Sequence, residues 1–124
     1  MRPEELKERT KQFGLRIMKL VDALPQSTTG WTIGKQLIRA GTAVGANYRA
    51  ACRGRSKAEF AAKLGVVIEE ADECGYWLEL IMDGELLSRN RVEPLHKEAN
   101  ELAAIFVASV RTAKNQQSAI GDQK

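Results

Sequence analysis

Apolar residues recur at the three- and four-residue spacing of amphipathic helices along most of the chain, and no segment alternates as a strand does. The first such segment lies between Pro3 and Pro25. Pro3 suits the first turn of a helix, whereas Pro25 cannot continue one. The apolar positions between them are Leu6, Phe13, Ile17, Leu20 or Val21, and Leu24. This pattern predicts a first helix that ends before Pro25.

A second helix is predicted from about Trp31 to about Arg53. Thr28 or Thr29 can cap it, and Trp31 can pack near its entry. Its apolar positions form one packing seam of Leu37, Gly41, Val44, Tyr48 and Ala51. The same helix carries the small residues Ala40, Gly41, Ala43, Gly45 and Ala46. Because each glycine costs roughly 1 kcal/mol relative to alanine in a helix, we expect another helix to approach this surface closely.

A short basic turn separates the second helix from the third. Gly54 suits the residue that follows a helix end. Ser56-Lys57-Ala58-Glu59 is a capping box, in which the Ser56 hydroxyl accepts from the Glu59 backbone N–H and the Glu59 side chain reaches back. Because the turn is so short, we expect the two helices to be antiparallel neighbours. Their length disfavours a DNA-binding helix-turn-helix.

The third helix is apolar over more than one stripe, most clearly in the run LGVVI at 64–68. Its main stripe contains Phe60, Leu64, Val67, Ile68, Ala71, Gly75, Leu78 and Met82. Such breadth indicates burial on two sides, either at a central place in a bundle or at a subunit contact. Because a monomeric bundle would expose this surface, we expect an oligomer. Gly84 marks the predicted end of the helix.

The fourth helix is predicted to start near Ser88 or Asn90, with Pro94 tolerated in its first turns. The apolar pattern stops near Val110, and residues 115–124 are polar. At 124 residues the chain suits one domain. The sequence therefore predicts an all-α protein, an antiparallel up-down-up-down four-helix bundle of residues 1–114 followed by a flexible polar tail of residues 115–124.

Composition narrows the class of protein. The hydrophobic fraction of 44% and the single His argue against a disordered chain and a His-rich metal protein. No apolar run reaches the roughly 18 residues of a membrane span, and the charged N-terminus is unlike a signal peptide, so we expect a cytoplasmic protein. Cys52 and Cys74 have neither CxxC nor zinc-finger spacing, which favours reduced packing thiols over a disulfide or metal site.

The net charge of +3 conceals a strong asymmetry along the chain. Residues 1–57 contain twelve Lys/Arg and four Asp/Glu, a formal charge of +8, whereas residues 58–124 contain seven and twelve, a charge of −5. Such a division is typical of a basic surface for a polyanion, or of complementary faces that meet within or between subunits.

Beside the packing seam, the second helix carries cations that form a candidate nucleic-acid surface. These candidates are Lys35, Arg39, Arg49 and Arg53, continued by Arg55 and Lys57. Cations held on a rigid helix neutralise phosphates and release counterions without reading bases. The alternative is a solvated face, or salt bridges to the acidic third helix, which applies most to Arg39. Tyr48 could stack on a base, although its position in the seam favours packing.

Other chemically active residue types form no recognisable site. Asn47 lies next to the seam, which favours a buried amide that fixes helix register. His96 has no partner at ligand spacing and is interpreted as a surface histidine. The acidic cluster at 69–73 lacks the histidines of a di-metal bundle, which favours a solvated or subunit-pairing face. We therefore expect no enzymatic activity, metal or cofactor.

Three stretches of the sequence together resemble one bacterial family. Pro25, QLIRAGTAVGANYRAACRGRSKAEF and EEADECGYWLEL resemble the 23S rRNA intervening-sequence proteins over nearly the whole chain. The positions that match recurrent motif residues are Arg39, Asn47, Ser56, Glu59 and Phe60. Where that family often has N-x-x-E-G, this chain departs from the pattern with Ala50, Ala51 and Cys52.

The resemblance implies a four-helix bundle that assembles as a ring, commonly of five subunits, and some members are encoded within ribosomal RNA genes. It also implies a relation to the accessory variability determinant of diversity-generating retroelements, a basic pentamer that works with a reverse transcriptase and RNA. Two hypotheses follow. The chain is either a nucleic-acid-binding accessory protein or a structural or protein-interaction oligomer whose charge division mediates contacts.

Overall fold

The computed structural model describes residues 1–122, with side chains described through residue 118. Four helices follow one another: α1 (Pro3–Asp22), α2 (Thr28–Cys52), α3 (Lys57–Asp83) and α4 (Arg89–Asp122). Helices adjacent in sequence pack side by side, and α1 also contacts α4. The short connections make successive helices antiparallel. The predicted all-α, four-helix bundle is therefore confirmed.

The connection between α1 and α2 is tighter than the sequence indicated. Ser27 is the N-cap of α2, and its hydroxyl accepts from the backbone N–H of Gly30 at 3.0 Å, so the prediction of a Thr28 or Thr29 cap is wrong. The reason lies at Gly30, where a Cβ would stand 1.9 Å from the carbonyl oxygen of Pro25. With this close approach the chain turns immediately after Pro25, and the cap lies one residue before Thr28 in the sequence.

The connection between α2 and α3 contains the predicted Ser56 cap. The Ser56 hydroxyl accepts from the backbone N–H of Glu59 at 3.1 Å, as expected for the cap of α3. The Glu59 carboxylate instead pairs with Lys63 at 3.2 Å. Gly54 does not have a positive φ. Its Cβ would stand 3.0 Å from the Ala51 carbonyl oxygen, so this position requires glycine for space and not for a left-handed backbone.

The third helix ends where the sequence predicted, with Gly84 as the C-cap of α3. Glu85, with φ of 57°, takes the left-handed conformation, and Gly84 does not. Pro94 lies in the second turn of α4, as the sequence allowed. The helix continues past residue 114 to Asp122. The division into a bundle of residues 1–114 and a flexible tail of residues 115–124 stays a prediction, and its last two residues, 123 and 124, lie outside the described residues.

The breadth of the apolar surface on α3 is explained within one chain. This helix packs against both α2 and α4. In the run at 64–68, Leu64 and Val67 are fully buried, and Val66 is the one large apolar side chain that is exposed. A central place in the bundle therefore accounts for the pattern. The inference of a subunit contact from α3 alone loses its basis, and oligomerisation stays a prediction.

The small residues of α2 allow α1 to approach closely, as predicted. A Cβ added at Gly41 would stand 2.8 Å from Cγ2 and 2.9 Å from Cγ1 of Ile17. At Gly45 it would stand 3.3 Å from the Thr10 hydroxyl oxygen. Because Ile17 and Thr10 are themselves buried, neither side chain can move aside for a larger residue without disturbing the core.

Candidate nucleic-acid interface

The six predicted cations are all exposed, but the structure divides them into three groups. The first group is Lys35 alone, near the N-terminal end of α2, and the second is Arg39 alone, one turn further along. Arg49 is 14 residues beyond Lys35, roughly 21 Å along the helix axis. The third group surrounds the α2–α3 connection and contains Arg49, Arg53, Arg55 and Lys57.

Arg39 is paired with two carboxylates of α3, although its side chain remains exposed. Its guanidinium lies 3.1 Å from Glu70 and 2.5 Å from Glu73. The indole N–H of Trp77 also donates to Glu73, at 3.2 Å. The hydrogen bond from Arg39 lowers the pKa of Glu73 below its ordinary value, and the same bond raises the pKa of Arg39. This geometry is the salt-bridge alternative that the sequence left open for Arg39.

The third group of cations has a different electrostatic setting. Within the described part of the chain, no carboxylate oxygen lies within 4.0 Å of the charged nitrogens of Arg49, Arg53, Arg55 or Lys57. All four side chains are exposed. Their positive charge is therefore available to an external anion.

Helix α1 adds cations that sequence reasoning missed. Lys7 and Lys11 line a groove of about 320 Å³ between α1 and α2, together with Arg49. Lys7 also lines a second cavity of about 570 Å³ around the connection, together with Arg55 and Lys57. Lys7 pairs weakly with Glu4, at 3.5 Å. The two lysines are four residues apart and so share one face of α1, but nothing in the sequence shows that this face adjoins Arg49.

Apart from its three cations the groove is mostly apolar. This remaining lining, here called its apolar floor, consists of Thr10, Gly14, Leu15, Met18, Thr42, Gly45 and Ala46. Leu15 and Met18 are 41% and 42% exposed, which is high for large apolar side chains. Such a surface can accept a chain that carries both negative charge and apolar area. Nucleic acid meets this description, and so does an acidic amphipathic helix.

Two residues considered as ligand groups have internal roles. Tyr48 is 3% exposed, and its ring centroid lies 5.3 Å from that of Phe106, so it packs across the core and is not placed to stack on a base. Burial raises its pKa. The amide of Asn47 donates to the Ala43 carbonyl oxygen at 2.9 Å. This bond lies within α2 and is not the contact between helices that was expected.

Part of the charge asymmetry between the two halves of the sequence is compensated by ion pairs within the chain. Arg9 of α1 lies 2.7 Å from Glu98 and 2.9 Å from Glu101 of α4. Together with the Arg39 pairs, these contacts join the basic first half to the acidic second half. The hydrogen bond from Arg9 lowers the pKa of Glu98. Complementary charged faces within one chain therefore account for part of the charge asymmetry.

The remaining chemically active residues are a histidine and two cysteines. His96 lies 3.2 Å from Glu79 across the α3–α4 contact, so it is a half-buried side chain with a partner and not the isolated surface histidine expected. Cys52 and Cys74 are free thiols. Among the residues whose side chains the structure describes, 1–118, there is no group of three or more metal-ligating side chains. No helix in the described part of the chain has the length and apolarity of a membrane span.

Comparison with known proteins identifies a family and solved structures of similar fold. The family model for 23S rRNA-intervening sequence proteins matches residues 4–108. A solved structure of a protein with unknown function from the S23 ribosomal protein family, from Bacteroides thetaiotaomicron, is 32% identical and superposes with a TM-score of 0.79. That match covers 84% of this chain and 96% of the other. No curated protein matches the chain significantly.

Proposed function

The chain belongs to the 23S rRNA-intervening sequence protein family, and from this premise we propose that it is a non-enzymatic, oligomeric protein that binds RNA or DNA. The observation that carries the proposal is the group of exposed cations around the α2–α3 connection that have no carboxylate partner in the described chain. Arg49 and Arg53 form the centre of this surface. Lys7 and Lys11 extend it onto α1.

Physical chemistry supports phosphate binding at this surface without sequence reading. Arg49 lies in the last turn of the long helix α2 and Arg53 is its C-cap, so the backbone that carries them is already ordered before a phosphate binds. Each neutralised phosphate releases condensed counterions, which makes the affinity fall steeply with salt. Lys35 adds one contact on the same helix, whereas Arg39 contributes less because Glu70 and Glu73 already compensate it.

The test compares two charge-reversal variants of the full chain. Arg49→Glu/Arg53→Glu removes two central cations, and we expect it to abolish binding to mixed RNA and DNA at low salt. Arg91→Glu/Lys97→Glu is the matched control, because it makes the same change in net charge at exposed positions of α4. The control should keep the affinity within a few-fold. It should also keep a slope of log affinity against log salt of about −0.9 per contacted phosphate for duplex DNA.

Three outcomes would reject the nucleic-acid proposal. Absence of binding by the wild-type chain at low salt is the first, and equal loss in the two variants is the second. The third is a fall in oligomer mass in Arg49→Glu/Arg53→Glu, which would place these arginines at a subunit contact.

Assembly and partners form a second part of the proposal. We propose a homo-oligomer, with five subunits in a ring as the resemblance implies and a reverse transcriptase as a possible class of protein partner. A ring would repeat the basic surface around one assembly and raise the affinity through avidity. A light-scattering mass of one subunit at micromolar concentration would contradict the oligomer.

The second candidate function is a structural or protein-interaction oligomer. The observation that favours it is the apolar floor of the α1–α2 groove, where Leu15 and Met18 are exposed between cations. An acidic amphipathic helix would match both its apolar floor and its charge. Replacing Leu15 and Met18 with Ser separates the candidates, because it should weaken a protein contact while leaving a salt-dependent phosphate contact nearly unchanged.

A further inference from the structure

Trp31 is one of the most exposed large apolar side chains of the protein, with 58% of its surface accessible. Tryptophan is usually largely buried, so such exposure on a helix calls for an explanation. The sequence suggested that Trp31 packs near the entry of α2, but the structure places its indole mainly in solvent. The side chain also makes no hydrogen bond within the described chain, unlike the indole of Trp77.

The backbone that carries Trp31 is firmly held. Its N–H donates to the Ser27 carbonyl oxygen at 2.9 Å, within the first turn of α2. The preceding Gly30 packs directly against Pro25 and is buried. The indole therefore stands on a rigid helix end and not on a mobile loop, which lowers the conformational cost of stacking against it.

The surroundings of the indole are apolar with one cation. Trp31 borders a cleft of about 390 Å³ whose apolar walls include Leu24, Pro25 and Ile38. Lys35 borders the same cleft four residues after Trp31, so the two side chains share one face of α2. Asp22 also borders the cleft and would repel a phosphate placed next to it. A phosphate next to the cleft is therefore favoured on the Lys35 side.

We propose that Trp31 is a stacking platform for an unpaired nucleobase, so that the protein prefers single-stranded RNA or DNA over duplex. The inference rests on the proposed function and names its ligand class. A strand along the outer face of α2 would place a base on Trp31 and a phosphate on Lys35. It would then reach Arg49 roughly 21 Å further along the helix. Bases in a duplex are already stacked and paired, and offer no free face to the indole.

The experiment measures the affinity of the full chain for a single-stranded oligonucleotide and for a duplex of the same length. Trp31→Ala should weaken single-strand binding roughly tenfold, equivalent to about 1.4 kcal/mol. Trp31→Phe should weaken it less, because an aromatic face remains. Both variants should bind the duplex as the wild type does, a result that a purely structural role of Trp31 would not give.

Indole fluorescence supplies an independent readout. The single strand should quench the wild-type emission, and the quenching should disappear in Trp31→Phe, where Trp77 is the remaining tryptophan. Thermal melting and light scattering of each variant check that the fold and the assembly are unchanged.

The outcomes separate this inference from the function on which it rests. If the wild type binds neither form of nucleic acid, the proposed function fails, and the stacking site fails with it. If the wild type binds both forms in a salt-dependent manner and Trp31→Ala matches it on the single strand, only the stacking site is rejected. A lower oligomer mass for Trp31→Ala would also reject it, because Trp31 would then lie at a contact between copies of the chain.

Discussion

The contact between Gly41 and Ile17 allows a sharp prediction of stability, because a Cβ added at Gly41 has two opposing effects of known size. Replacing Gly41 with Ala in the middle of α2 gains about 1 kcal/mol of helix propensity. The new Cβ would stand 2.8 Å from Cγ2 and 2.9 Å from Cγ1 of Ile17. Both γ carbons branch from one Cβ, and Ile17 is fully buried, so no rotation of its side chain clears both contacts.

Overpacking of this kind costs about 1–3 kcal/mol, and the absence of space around Ile17 favours the upper part of that range. Gly41→Ala should therefore lower the free energy of unfolding by about 1–2 kcal/mol, a fall in Tm of roughly 4–8 °C. Gly65→Ala in α3 is the matched control, because its Cβ would meet nothing within 4 Å. That variant should be more stable than the wild type, by up to about 1 kcal/mol.

Thermal and denaturant unfolding of the single variants and of Gly41→Ala/Ile17→Ala measure the effect. Ile17→Ala alone should cost about 2–5 kcal/mol, since it leaves a cavity. In that background both γ carbons are absent and the closest remaining contact is the one to the Cβ of residue 17, at 3.1 Å, so Gly41→Ala should cost much less than in the wild-type background. If Gly41→Ala were as stabilising as Gly65→Ala in the wild-type background, the close approach of α1 and α2 would not explain the small residues of α2.

Two further predictions concern the helix cap and an interhelical ion pair. Ser56→Ala should cost about 1 kcal/mol, because the hydroxyl that accepts from the Glu59 N–H is lost, and an unchanged melting temperature would show that α3 does not depend on this cap. Arg9 lowers the pKa of Glu98 below its ordinary 4.5, so the stabilisation by this pair is fully present above about pH 4.5 and is lost as the pH falls through the lowered pKa. In a plot of melting temperature against pH, Glu98→Gln and Arg9→Met should both reduce the slope on the acid side. A slope as steep as that of the wild type would contradict the role of this ion pair in the pH dependence of stability.

The fold was largely predictable because its signals are local. The seam from Leu37 to Ala51 follows the period of a helix, and the Ser56 cap depends on residues within one turn of each other. The cap of α2 was predicted wrongly because it depends on a contact between segments. The cap at Ser27 follows from the approach of Gly30 to the Pro25 backbone.

The candidate site divides in the same way. Sequence periodicity by itself placed Arg49 and Arg53 on an exposed face of α2, because helical spacing determines which residues share a side. Only the tertiary structure decided which cations keep a free charge, since Arg39 reaches Glu70 and Glu73 on a different helix. The packing of α1 against α2 likewise brings Lys7 and Lys11 beside Arg49. Periodicity determines which residues share a face of one helix, whereas an ion pair or a groove needs residues from two helices. The sequence of either helix does not specify how far apart the two helices pack.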